Sequence, residues 1–170
     1  HNSSWHQTGS IGFLKYVDLP HTPRYYFGHG LSYTTFAYSE LQISSDEVAP
    51  FEKLTISLKV ENTGDRAGDE VVQLYLHDAF ASMARPVREL AGFLRVGLEP
   101  GEKKIVIFTV EPSQMAFLDK DMRWKIEKGK IEVEIGSSSD DIRLTGSYEV
   151  TENGWIAGKD RAFYAKAAVE

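Results

Sequence analysis

From position 34 onward, apolar and polar residues alternate with period two over most of the chain. In Lys53-Leu54-Thr55-Ile56-Ser57-Leu58-Lys59-Val60-Glu61 the apolar residues at 54, 56, 58 and 60 fall on one face and polar ones on the other, the pattern of a half-buried antiparallel strand. Glu70–Leu76 sets Val72, Leu74 and Leu76 against Val71, Gln73 and Tyr75, and Phe93–Leu98 is shorter and mixed. Lys104–Val110 is apolar on both faces, which predicts a central strand. Lys130–Ile135 alternates again, and Ile142–Val150 predicts a further strand with Gly146 as a bulge or a close approach. With Thr34–Ile43 as the first, these make seven strands.

Turn residues punctuate them: Ala49-Pro50, Asn62-Thr63-Gly64-Asp65, Glu99-Pro100-Gly101, Lys128-Gly129 and Gly136–Asp141. Short strands at this spacing, with no strong helical stripe between them, predict an all-β domain of antiparallel sheets. Periodicity alone leaves a sandwich or a small barrel open. Met115-Ala116-Phe117-Leu118 could form one helical turn, Arg123–Ile126 an edge strand or hairpin arm, and residues 151–170 a final strand or an extension crossing the surface. The longest irregular stretch is His77–Arg88. Residues 1–26 carry Gly9, Gly12, Pro20 and Pro23 with isolated apolar residues, and Gly12–Val17 is the best strand candidate there.

Phe27-Gly28-His29-Gly30-Leu31-Ser32-Tyr33-Thr34-Thr35-Phe36 divides the loop-like start from the strands. Together with Tyr16-Val17-Asp18 and Pro23–Tyr26 before it, this stretch resembles the junction of glycoside hydrolase family 3 enzymes, where the catalytic part passes into a C-terminal fibronectin type III-like domain. Val60–Gly64, Gly68–Tyr75, Arg85–Phe93, Leu98–Glu102 and Gly136–Leu144 resemble further pieces of that domain in the same order. The resemblance covers roughly residues 11–150. It implies a fibronectin type III-like (immunoglobulin-like) antiparallel β-sandwich of about seven strands with irregular N- and C-terminal extensions. The expected division is a remnant or linker from an α/β-type catalytic domain at 1–33, the sandwich at 34–150 and an extension at 151–170.

The same resemblance implies a non-catalytic accessory domain of a β-glycosidase, with β-glucosidase the expected parent activity. In this family the nucleophilic aspartate lies in a Ser-Asp-Trp context and the acid/base is a glutamate in the next domain. No Ser-Asp-Trp occurs here, so no catalytic residue is carried over and the isolated chain is expected to be inactive. The expected partners are the catalytic domains of the parent, with homodimer contacts as a second role and β-linked glucosides or oligosaccharides reached through the parent. An independent carbohydrate-binding module or an Ig-like protein-interaction module is the alternative.

Composition narrows the classes further. The chain has 170 residues with a net charge of −6, so it has no basic footprint for nucleic acid. It has no cysteine, which excludes disulfides, thiolate metal sites and cysteine nucleophiles. No apolar run approaches the ~18 residues of a membrane span. The start, His1-Asn2-Ser3-Ser4, is neither a signal peptide nor a methionine start, which predicts a piece of a longer chain. Five histidines form no zincin-type pair, no phosphate loop appears, and Gly28-His29-Gly30 lacks the third glycine of a dinucleotide site. No cofactor or metal is expected.

The carboxylates Asp69-Glu70, Asp119-Lys120-Asp121 and Asp140-Asp141 stand beside turn residues, where capping or solvation is the expected role. Candidate functional residues are therefore few. Trp5 and His6 are candidates for sugar contact. Phe27, Gly28, His29, Gly30, Leu31, Ser32, Tyr33, Thr34 and Phe36 form the domain-junction motif. Arg85, Arg88 and Glu89 are expected to steady the long loop by ion pairs or to pack on the catalytic domain.

Overall fold

The computed structural model describes residues 22–170, so Trp5, His6, Tyr16–Asp18 and the strand candidate Gly12–Val17 lie outside the described residues. The strands are β1 (Phe36–Ile43), β2 (Glu47–Val48), β3 (Leu54–Asn62), β4 (Gly68–Asp78), β5 (Glu89–Leu98), β6 (Lys103–Val110), β7 (Phe117–Leu118), β8 (Trp124–Ile126), β9 (Gly129–Gly136), β10 (Ile142–Val150), β11 (Gly154–Ile156) and β12 (Lys166–Val169). All seven expected strands are among them. They form a four-stranded sheet in the order β1-β3-β6-β12, a five-stranded sheet β2-β10-β9-β4-β5, and a small sheet β11-β8-β7. Every pairing is antiparallel except that of β2 with β10.

The two larger sheets are the layers of the sandwich. Leu54, Ile56, Leu58 and Val60 of β3 and Val106, Phe108 and Val110 of β6 share one buried cluster with Val72, Leu74 and Leu76 of β4, Ile131, Val133 and Ile135 of β9, and Tyr148 and Val150 of β10. Strand β3 buries every second residue, as the alternation requires. Strand β6 does sit between two neighbours, yet Ile105 is exposed and Ile107 half-buried, so its second apolar face looks outward. Strand β4 is buried on both faces from Val72 to Leu76, because the segment before β1 lies over its outer side.

Several boundaries differ from the alternation. His77 and Asp78 continue β4, and β5 starts at Glu89, so the long loop runs over 79–88. The segment 112–118 divides into a 3₁₀ turn, Pro112–Met115, and the two residues of β7. Gly146 is a close approach rather than a bulge: a Cβ there would lie 2.8 Å from Ile43 Cδ1, while the register shift of that hairpin falls between Ile142 and Leu144.

Beyond β11 the chain closes the flank of the sandwich. Ala165 N donates to Ala91 O of β5 at 2.6 Å, and β12 then pairs with β6, so one short segment bonds to both sheets. Gln114 of the 3₁₀ turn donates through Nε2 to the same Ala91 carbonyl at 3.0 Å. Arg161 Nη2 donates to Gln114 O at 2.8 Å, and the Arg161 guanidinium lies 4.8 Å from the Trp124 ring and 5.3 Å from that of Phe163.

Candidate functional site

A concavity lies where the junction segment crosses the outer face of the five-stranded sheet. It has a volume of about 760 Å³ and is lined by Phe27–Ser32 with Phe36, Val71, Gln73 and Phe93, and by the turn that joins β9 to β10. Two polar side chains and one ion pair hold its walls together.

Gln73 is the first. It points outward from β4 yet is only 4% exposed, and its carboxamide is fully used. Nε2 donates to Gly28 O at 3.1 Å and to Ser137 O at 2.5 Å, while Oε1 accepts from the buried Tyr75 hydroxyl at 2.5 Å. Ser139 N donates to Phe27 O at 2.9 Å and completes the attachment. Gly28 has φ +79°, a left-handed conformation that disfavours a side chain, and a Cβ there would overlap the Gln73 carboxamide. Gly30 has open space around it. Of the two glycines in the motif, only Gly28 is demanded by its surroundings.

Asn62, fully buried at the end of β3, is the second. Its Oδ1 accepts from the Thr34 hydroxyl at 2.7 Å and from Gly64 N at 3.1 Å, and its Nδ2 donates to Arg66 O at 2.7 Å and Leu98 O at 3.0 Å. Thr34 fits between Gly64 and Gly68, where a Cβ on either glycine would collide with it. The junction motif and the Asn-Thr-Gly and Gly-Asp-Glu motifs are thus one contact.

Arg143 supplies the ion pair. It donates to Asp141 Oδ2 at 2.7 Å and to Phe36 O at 2.9 Å, and it stacks 4.6 Å from the centre of the Tyr38 ring. Ser137 Oγ donates to the same carboxylate oxygen at 2.6 Å. The Arg143 and Ser137 bonds hold the Asp141 carboxyl below its ordinary pKa. Burial, reinforced by the Glu70 carboxylate, pushes the Tyr38 hydroxyl far up, and burial also raises Glu70 against the opposing pull of Arg143.

Glu70 is therefore a half-buried strand residue rather than a solvated turn carboxylate. Asp69 binds Arg95 and Asp119 caps the amides of Asp121 and Arg123, as expected of carboxylates beside turns. The polar groups around the cleft hold chain segments together, and among the described residues no three His, Asp or Glu side chains converge as a metal would require.

The loop residues separate into two pairs. Arg85 Nη2 donates to Glu89 Oε1 at 2.7 Å, with its guanidinium 5.3 Å from the Phe117 ring centre. Arg88 pairs instead with Glu134, Nε to Oε2 at 3.0 Å, and also donates to Ser139 O, which ties the loop to the cleft. The loop tip is apolar and open: Phe80 and Val87 are exposed and Met83 half out. The cleft rim is similar, with Phe27 57%, Leu31 93%, Tyr33 94% and Phe93 56% exposed. Single-sequence reasoning missed Gln73, Asn62 and Arg143 as site residues. The residues of the junction segment and the start of β1 that they hold, Thr34, Gly28 and Phe36, lie 28 to 107 positions away, and the polar residue at 73 was the one local sign, since the outer face of β4 is otherwise apolar there.

Residues 70–139 match the family described as fibronectin type III-like domain. The chain is 43% identical over 136 residues to a periplasmic β-glucosidase of Salmonella typhimurium, covering 80% of this chain and 18% of that protein. It is 38% identical over 161 residues to thermostable β-glucosidase B of Acetivibrio thermocellus, covering 94% of this chain and 21% of that protein. Among solved structures, β-glucosidase 3B from Thermotoga neapolitana superposes with a TM-score of 0.73 at 38% identity, over 79% of this chain and 18% of that one. The chain spans about a fifth of the length of these relatives.

Proposed function

We propose that this chain, which carries the fibronectin type III-like domain of glycoside hydrolase family 3, serves as the non-catalytic part of a β-glycosidase, one that cleaves terminal β-D-glucosyl residues. The observation that carries the reading is the apolar rim of Phe27, Leu31 and Tyr33, which stands along the cleft at the junction segment. Exposed apolar residues grouped beside an incoming segment mark a docking face. The relatives, of which the matched segment is about a fifth, supply an occupant of the right kind: the catalytic domains. On this reading residues 1–33 connect to those domains, and the sandwich covers their apolar surface and fixes their orientation. Loop 79–88 packs on them through Phe80, Met83 and Val87, with Arg85, Arg88 and Glu89 holding its shape. β-Linked glucosides are then met by the parent enzyme.

Hydrolysis of aryl-β-glucosides and aryl-β-xylosides by the pure chain, alone and mixed with the catalytic portion, tests the reading. The expected result is no turnover alone, and a raised melting temperature or activity of the catalytic portion on mixing. Turnover by the chain alone that disappears in Glu70→Gln or Asp141→Asn would overturn it.

A further inference from the structure

Strand β5 is the outer strand of the five-stranded sheet over ten residues, and one stretch of its outer edge is unpaired. Alternate residues of a strand direct their N–H and C=O groups to the same side. The Ala91 carbonyl accepts from Ala165 N and Gln114 Nε2, and the Gly97 carbonyl accepts from Lys104 Nζ at 2.7 Å, all away from β4. Phe93 and Arg95, which lie between them at the same parity, therefore turn their backbone groups outward as well, and among the described residues no strand pairs with them there.

The other sheet edges are blunted. Strand β1 carries a bulge with Glu40 in a left-handed conformation at φ 55°, β2 is two residues long, and β12 is four residues long and opens with a lysine. Those are the usual protections against edge pairing. Strand β5 has a register shift at Ala91 and a charge at Arg95, yet its run Phe93-Leu94-Arg95 is regular and no strand pairs with its outer edge among the described residues.

We infer that this edge pairs with the same edge of a second copy, β5 against β5, antiparallel and with Leu94 opposite Leu94 of the partner subunit. Self-complementarity selects a second copy as the occupant. In this register the two outward-facing residues of each chain meet each other, Phe93 with the partner's Arg95 and Arg95 with the partner's Phe93. Each pair exchanges two backbone hydrogen bonds. The side chains of such a pair share a face, which sets a guanidinium beside an aromatic ring twice across the two-fold axis. Phe93 is 56% exposed, and the Arg95 side chain is 73% exposed and, among the described residues, bonded to Asp69 alone, so both are free to turn. A shift by two residues in either direction would call on Ala91 or Gly97, whose carbonyls are taken.

Sedimentation equilibrium of the full chain from about 1 µM to about 500 µM tests the inference, because an edge-only interface is small and its dimer weak. The mass is expected to rise from 19.1 kDa toward twice that value. Arg95→Pro removes one outward N–H that makes no bond to β4, a substitution edge strands accept. Phe93→Lys places a cation opposite the partner's Arg95. Each should raise the dimer Kd at least about tenfold, with the circular dichroism of the sheets kept. A chain that stays monomeric throughout, or a dimer indifferent to both variants, would overturn the inference. So would amide protection at Phe93 and Arg95 that appears only when the catalytic portion is added, since that assigns the edge to the parent enzyme. This test needs no glycosidase activity and stands apart from the docking experiment.

Discussion

Gly28 and Gln73 show how one backbone conformation can govern a latch. At φ +79° a residue with a Cβ is strained by about 1 kcal/mol, and in Gly28→Ala the new methyl group must also displace the Gln73 carboxamide. The carbonyls of Gly28 and Ser137 then lose their shared donor, at about 1 kcal/mol each. Lifting the junction segment off the sheet therefore becomes easier by roughly 2–3 kcal/mol. Native-state hydrogen exchange checks this. The Ser139 amide, bonded to Phe27 O, should exchange about fifty-fold faster in the variant, while amides in the middle of β3 keep their protection. Equal acceleration at both places would mean that the latch is not a separate unit. The sequence displays Gly28 and Gly30 alike, and only the tertiary partner at 73 tells them apart.

At the scale of elements, one side chain fastens the segment from Gly158 to β12 to the small sheet, beside the Ala165–Ala91 bond and the β12–β6 pairing. Arg161 lies between Trp124 and Phe163 and bonds to Gln114 O, which joins the small sheet, the 3₁₀ turn and the closing strand. Arg161→Ala should cost about 2 kcal/mol, from two partly desolvated cation–π contacts and one charge-assisted hydrogen bond. Arg161→Lys should recover less than half, because an ammonium cannot stack as a planar guanidinium does. Urea midpoints measure both, with an unchanged slope expected; full recovery by lysine would reduce the role to charge alone. This closing segment also marks where sequence reading ran out. Alternating or continuously apolar runs of six or more residues located β1, β3, β4, β5, β6, β9 and β10, and Arg123–Ile126 was expected as the edge strand that β8 is, but strands as short as β2, β7 and β11 show no period. Lys166–Val169 became a strand because β6 offered it an edge, which no local pattern encodes. The junction motif was visible in the sequence; Gln73, Asn62 and Arg143, the side chains that hold it, were not, because each acts on residues distant in the chain.

For the whole molecule, the core makes the fold vulnerable to alkali. The Tyr75 hydroxyl is pushed up to about 12 by burial. Tyr38 and Tyr148 are raised further, chiefly by burial, with Glu70 adding to the first and Asp78 to the second. A tyrosine near its ordinary value of 10.0 ionises in the unfolded chain while these three stay protonated in the fold. Below pH 10 both states carry the proton and stability is unaffected. Above it the unfolded state binds fewer protons, so stability falls as pH rises, by about 3 kcal/mol per pH unit from Tyr38 and Tyr148 together. Against a total of about 5–15 kcal/mol, two to three units above pH 10 remove roughly 6–9 kcal/mol, enough to unfold a sandwich in the lower half of that range. The phenolate absorbance of Tyr38, Tyr75 and Tyr148 should therefore rise only together with loss of the sheet circular dichroism. A single step near pH 10 with the sheets retained would refute the account. Tyr148 sharpens the test, because its buried hydroxyl has no hydrogen-bond partner among the described residues. Tyr148→Phe removes an unsatisfied group and one alkaline liability together, so it should raise neutral-pH stability by about 1 kcal/mol and move the alkaline midpoint upward.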